Sequence, residues 1–534
     1  MEKNSKKRAV SSRKITPGII AAIIAVFMFV PDNIVAQSRT KGPSDNHVKV
    51  GVDDMGIHSG LKSENNQGEK TRIYTVFTSG ITTGAAYSIY HPDVEIIENE
   101  EVVEILKEKC KDVEFVGGTR PNRDVIEDIK AQKDKLDGLL CLGSPPAELT
   151  SIGLPMVAVS RLWGEWFPVS HEQNDFKGKK VVISSLPVIP DKDRSVYLSR
   201  IEDITGKIKL IEAISKMKGL RVLVITDKPP LGEFEPKVFQ IKTTREEYEK
   251  VFVNNLRETF GAFLVPIPQE DLVEKMKVQD EEKAKEVSKK WIDEASGIRG
   301  TNEEQILRSA KLYLAMKELM AEHNCQAIAT EGYGRFPGGY SIMPSQGLPS
   351  SQLCTEGIVA TSETLINSLI TQQLGYNFTG STGLNGDYFI DFFNDIAIVA
   401  HCEAPFNPYG DGEKVPYIIR NLPFFEEENT GGAVAQVIYP IGVPVTVAKI
   451  DMNNKKIVVF TGETVSGEEL FPYWNDILCR TKVAIKTNAK ALHENRDWRT
   501  FWQHRVTFFG DYRQDFIDLA KLIGFEVVEC DKEK

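Results

Sequence analysis

Most of the signatures that betray a cofactor or a cross-linked scaffold are missing from this sequence. Its 534 residues hold seven cysteines, and no two of them form a C-x-x-C pair or any other zinc-like spacing, so structural zinc modules are excluded. An odd number cannot close into a full disulfide set. Cys110, Cys141, Cys325, Cys354, Cys402, Cys479 and Cys530 are therefore expected to be mostly free thiols, small buried hydrophobes such as Cys141 in Leu139-Leu140-Cys141-Leu142. No G-x-G-x-x-G and no P-loop follows a strand-like run, so nothing supports a nucleotide or dinucleotide site. No Lys/Arg-rich face interleaved with aromatics occurs outside residues 1–14, and the net charge is −11. General nucleic-acid binding is excluded, because neutralising phosphates requires a basic surface.

What is present is an ordinary globular composition, 41% hydrophobic and 26% charged. The length admits about two to four domains. The N-terminus has a different texture. Lys3, Lys6, Lys7, Arg8, Arg13 and Lys14 precede Ile19–Val30, a run without a polar side chain that Pro31 closes. That run is shorter than the ~20 residues a comfortable membrane span needs, but it suits the apolar core of a secretory signal. Ile34-Val35-Ala36 and Ala36-Gln37-Ser38 both offer small residues for cleavage, and no cysteine stands nearby for a lipid anchor. The expectation is a signal peptide over 1–36, with an uncleaved signal anchor as the alternative. A flexible Ser/Gly/Asn/Asp-rich leader would follow over 37–70, leaving no stable membrane span after cleavage and placing the folded part in the periplasm or outside the cell.

From Arg72 onward, short apolar runs alternate with helical patterns. Ile73–Phe77, Val113–Val116, Leu139–Leu142 and Met156–Val159 read as buried parallel strands of one α/β domain, 71–178. A second α/β domain, 179–385, is expected to open on Val181-Val182-Ile183 and to continue through Leu220–Ile225, Phe263–Val265 and Ala327–Ala329. Gln279–Lys290 reads as a solvated helix face. Thr301-Asn302-Glu303-Glu304 resembles a capping box ahead of the stripe Ile306, Leu307, Ala310, Leu314 and Met320, which suits core packing. In the last part, 386–534, Val434–Tyr439, Val445–Ile450 and Lys456–Phe460 succeed one another without helices between them. Asn453-Asn454 makes a natural hairpin turn there, so an antiparallel sheet or small barrel is expected. Asp511 and Gln514 would cap a closing helix that buries Phe516, Leu519, Ala520 and Ile523 and stops at Gly524.

The stretch Gly357–Asp387 places two carboxylates, Glu363 and Asp387, at the ends of an apolar segment, and His504 stands far away in Trp502-Gln503-His504. Two carboxylates and one imidazole make a ligand set for one divalent ion with positions left for substrate. Glu356 competes with Glu363 for that role, and Asp391 with Asp387. Trp163, Trp166, Trp498 and Trp502 are candidates for stacking on a sugar face. Tyr333 and Arg335 lie in a glycine-rich loop where the strand Ala327–Thr330 ends, which is where open α/β sheets place ligands.

These motifs resemble the L-fucose isomerase family, within the wider group of L-fucose and L-arabinose isomerases. Gly357-Ile358 leads to Glu363, Phe378-Thr379-Gly380 and then Asp387 stand at the family's spacing, His401-Cys402 looks like its His-Cys pair, and His504 through Val528 resembles its C-terminal pattern. One departure is that Glu363-Thr364-Leu365 lacks the second acid common there. The resemblance implies two N-terminal Rossmann-like parallel-sheet domains followed by a strand-rich, antiparallel barrel-like C-terminal domain. It implies metal-dependent aldose–ketose isomerisation through an ene-diol, with Mn²⁺ or another divalent cation. Glu363 and Asp387 would act as ligands and proton carriers, His504 as the third ligand, and His401, Trp502 and Arg335 on the substrate side. The partner would be a monosaccharide, and the assembly a trimer or hexamer. The alternative function is an exported sugar-binding protein or an isomerase relative without catalysis, since tandem α/β domains behind a signal peptide also suit a periplasmic receptor.

Overall fold

Largely apolar runs between residues 71 and 361 become the strands of two parallel sheets. The computed structural model describes residues 70–78, 93, 95–119, 122–161, 176–227, 242–332, 339–410, 412–422, 431–477, 479–495 and 504–533. All of them belong to one unit, Ile57–Lys534. The expected signal segment and leader lie outside the described residues up to Lys70. No described helix is long and apolar enough to cross a membrane.

The first sheet contains β1 (Thr71–Phe77), β2 (Val113–Thr119), β3 (Gly138–Leu142), β4 (Met156–Ser160) and β5 (Val181–Ser185), in the order β2-β1-β3-β4-β5. Every pairing in it is parallel. Every residue of β3 and β4 is buried, as strands covered on both faces require. The boundary expected at 179 falls inside this sheet: Val181–Ser185 pairs with β4 and closes the first layer instead of opening the second. Its apolar run has the same texture as the others, and only the partner decides the layer.

The second sheet, also parallel, orders β6 (Arg221–Ile225), β7 (Phe263–Ile267), β9 (Ala327–Thr330) and β10 (Ala360–Thr361) as β10-β9-β6-β7. The crossover helix Glu303–Glu322 begins at Asn302, whose side chain accepts from the Gln305 amide at 3.0 Å. The cap is a single Asn, not the Thr301–Glu304 box. The helix Glu281–Glu294 buries Ala284, Ser288 and Trp291 and turns its remaining charges to water. A small sheet pairs β8 (Ile298–Arg299), β13 (Tyr417–Arg420) and β14 (Val434–Val437).

The C-terminal strands form a closed barrel. β11 (Leu384–Asp391), β12 (Ile396–His401), β15 (Pro444–Asp451), β16 (Lys456–Val465), β17 (Thr481–Lys486) and β18 (His504–Phe509) follow the cycle β15-β18-β11-β12-β17-β16, and β16 returns to β15. All six contacts are antiparallel, and β19 (Glu526–Glu529) adds to β16 in parallel. Period-two alternation sorts the side chains. Leu384, Tyr388, Ala397, Val399, Val445, Val447, Phe460, Val483, Ile485 and Phe509 share one cluster. Ala448, Ile450, Val506 and Phe508 point the other way and join Ile366, Leu369, Ile370 and Leu374 of the helix Ile366–Thr379. That helix is the wedge between barrel wall and parallel sheets. The last helix, Arg513–Ile523, ends at Gly524 in the left-handed region, as expected, although its cap position is Tyr512 with no side-chain bond.

Candidate metal centre

The site sits where the C-terminal edge of the second sheet meets the wall of the barrel. Glu363 follows β10, in a segment pinned by Thr364 N donating to Thr330 O at 2.8 Å and Ser362 N donating to Glu403 Oε2 at 3.0 Å. Glu363 and Thr364 both occupy the left-handed region, at φ 64° and 51°. For non-glycine residues, and a β-branched threonine above all, this is strained by about 1–3 kcal/mol each. Gly332 makes room for the acid, because a Cβ there would stand 2.9 Å from Glu363 Cγ.

The barrel supplies the remaining groups. Asp387 on β11 and His504 on β18 are direct cross-strand partners, and His504 Nε2 lies 3.6 Å from Asp387 Oδ1 and 4.0 Å from Glu363 Oε2. His401 closes β12, its ring centre 5.3 Å from that of His504 and tilted 68° to it. One ligand atom from each of Glu363, His401 and His504 lies within 4.8 Å of the others. These separations are too long for hydrogen bonds. Two atoms each ~2.1 Å from an ion stand at most about 4.2 Å apart, so the 3.6 and 4.0 Å separations around His504 Nε2 suit one shared cation.

Both ring nitrogens of His504 are buried without a hydrogen-bond partner, although buried imidazole nitrogens normally find one. Burial pushes His401 down to about 4, and burial with the charges of His401, Lys449 and Arg505 holds His504 well below the usual imidazole range. Both rings are thus neutral and able to ligate at neutral pH. Burial first, and then the negative charge of Glu363, push Asp387 up to about 8. A cation would reverse that shift. The donor set of carboxylates and imidazoles fits a divalent metal ion.

Of the residues singled out in the sequence, the fold brings Glu363, Asp387, His401 and His504 together. Trp502 and Arg335, with Tyr333, Trp163, Trp166 and Trp498, lie outside the described residues. The competing acids are engaged elsewhere. Glu356 receives Tyr313 Oη at 2.6 Å, Gln352 Nε2 at 2.9 Å and Lys317 Nζ at 3.0 Å. Asp391 receives the amides of Phe393 and Asn394 in the β11–β12 turn. His401, read from the sequence as a substrate-side group, stands among the residues that could hold a metal ion. Sequence reasoning missed Glu403, whose Oε2 lies 3.7 Å from His401 Nδ1. It also missed Tyr340, whose hydroxyl is held above its usual range by burial and by the charges of Cys402 and Glu363. The available signal for Glu403 was its place one residue beyond His401-Cys402, at the same strand end.

No protein-family model and no curated protein matches the sequence. Among solved structures the chain is similar to an ABC-transporter periplasmic solute-binding protein from Actinobacillus succinogenes 130z, crystallised with bound D-allose. The identity is 11% and the TM-score 0.14, over 58% of this chain and 92% of that one. At that score nothing about this chain's ligand follows.

Proposed function

We propose that this chain is a divalent-metal-dependent isomerase-like protein acting on a monosaccharide, of the L-fucose/L-arabinose type. The observation that supports it is the convergence of Glu363, His401 and His504 within 4.8 Å, from three separate elements, with Asp387 Oδ1 3.6 Å from His504. Glu363, Asp387, His401 and His504 would hold the ion, Mn²⁺ in this reading. When bound, the ion supplies Lewis-acid stabilisation of charge developing on the sugar's O1 and O2.

The chain's own groups divide the proton work. Glu363, a carboxylate on a strained backbone, takes the proton from C2 and returns it to C1. Asp387, ionised once the ion is bound, takes the proton from the hydroxyl that becomes the new carbonyl and passes it to the old carbonyl oxygen. His401 and His504, kept neutral by burial, bind through ring nitrogens without competing for those protons. Export of the chain belongs to the same proposal, and N-terminal sequencing from the native host tests it, with a mature end near Gln37 or Arg39 expected.

A second reading, an exported sugar-binding protein or an isomerase relative without catalysis, is favoured by the two parallel sheets in tandem and by the missing second acid in Glu363-Thr364-Leu365. Metal analysis and turnover separate the readings. The proposal expects about one Mn²⁺ per chain and chelator-sensitive aldose–ketose interconversion over a panel including L-fucose, L-arabinose and their epimers. A chain that holds no metal and turns over no sugar of the panel leaves the binding reading.

A further inference from the structure

Asn385 stands two residues before Asp387 on β11, so both side chains share one face of the barrel wall. Across the strand pair that face carries His504, opposite Asp387, and Val506, opposite Asn385. Asn385 is therefore diagonal to His504, a separation of about 7–8 Å along the wall. It is 2% exposed, and both its amide oxygen and its amide nitrogen lack any hydrogen-bond partner. Its diagonal neighbour His504 is 3% exposed and equally unpartnered. Two polar side chains in this condition on one face are unfavourable for the fold alone, since buried polar groups are ordinarily satisfied.

We propose that Asn385 is a ligand-binding residue of this site, holding a hydroxyl of a polyhydroxy compound whose neighbouring oxygens face the ion held by Glu363, His401 and His504. The inference rests on the metal reading above and extends it to the part of the ligand that the ion does not touch. An amide that must both donate and accept is satisfied by one hydroxyl group, which does both. The distance along the wall requires a ligand longer than a simple diol. A compound such as 1,2-ethanediol reaches the ion's side only, whereas an open-chain pentitol spans both positions.

The test titrates xylitol, L-arabinitol and 1,2-ethanediol into the full chain, once with Mn²⁺ and once with chelator, for the wild type and for Asn385→Leu. The variant is expected to keep the wild-type Mn²⁺ stoichiometry and a melting temperature equal to or above that of the wild type, because it removes a buried unsatisfied amide. Pentitol affinity should fall at least tenfold while 1,2-ethanediol is unaffected. Should Asn385→Leu melt lower, Asn385→Ser, which retains a single polar atom, decides: an intermediate loss of pentitol affinity upholds the proposal, and none overturns it. Unchanged pentitol affinity in Asn385→Leu, or a wild type that binds neither pentitol under either condition, also overturns it. A wild type without Mn²⁺ defeats the metal reading alone; the chelator arm then still decides Asn385 by the same comparison.

Discussion

Asp387 and His504 face each other across the β11–β18 ladder with Oδ1 and Nε2 3.6 Å apart. The ladder fixes their approach, so the pair is preorganised by the same hydrogen bonds that close the barrel. Glu363 arrives from another layer, on a segment pinned by bonds of its own.

Because these groups would act as one unit, single substitutions should be far from additive. Asp387→Asn, His504→Ala and Glu363→Gln are each expected to lower Mn²⁺ occupancy, and any double variant should be little worse than its poorer parent. Glu363→Gln should lose turnover more severely than metal. Glu356→Gln, bonded to Tyr313, Gln352 and Lys317, should keep wild-type occupancy. Elemental analysis and turnover on the same preparations check this, and a dead Glu356→Gln beside an active Glu363→Gln would refute it.

Asp387 also sets a pH dependence. Its carboxyl is held up at about 8, whereas an unfolded Asp ionises near ~3.9. The group contributes no penalty below the lower value, and it destabilises the ion-free fold progressively as pH rises toward the upper one. His401, pushed down to about 4, is already neutral over most of that window. Mn²⁺ uptake between pH 6 and 7.5 should therefore release about one proton, with affinity rising with pH and levelling above 8. Calorimetry in buffers of different ionisation enthalpy measures the proton count; a count of zero would contradict the assignment.

Gly332→Ala tests the close approach to Glu363. The added methyl would lie 2.9 Å from Glu363 Cγ, and no left-handed backbone is involved at Gly332. Mn²⁺ affinity should fall about tenfold, worth ~1.4 kcal/mol, with global stability within ~1 kcal/mol of wild type. Denaturant unfolding alongside metal titration separates the two effects.

Lys207 and Asp518 form a buried pair, Nζ to Oδ2 2.6 Å, with Asp203 Oδ1 3.0 Å from the same ammonium. Asp518→Ala leaves the ammonium with only the more exposed Asp203, and should cost about 3 kcal/mol. Lys207→Met combined with Asp518→Leu should cost much less. Urea unfolding of the two variants beside the wild type checks the order; equal losses would show that the pair is not the source.

The layers were legible where chemistry repeats locally. Apolar runs such as Leu139–Leu142 announced parallel strands, and Asn453-Asn454 announced the β15–β16 hairpin, whose turn is tied by Asp451 to Asn454. Pairing partners were not legible, because Val181–Ser185 reads the same in either sheet. The site was half legible. Glu363, Asp387 and His504 were picked out by a motif and do converge, whereas the place of His401 beside His504 and the orphaned amide of Asn385 depend on which strand stands beside which. Short-range signals carry no such information.

The helix Arg194–Ser215 buries Ile201, Ile204, Ile208 and Ile211 in the same core as Phe516, Leu519 and Ile523. The Lys207–Asp518 contact spans 311 residues. During synthesis these isoleucines leave the ribosome long before their cover exists. Part of this apolar face therefore stays uncovered in the nascent chain until the final helix emerges. A stop codon ahead of residue 513 would consequently give insoluble material, and not a smaller folded protein.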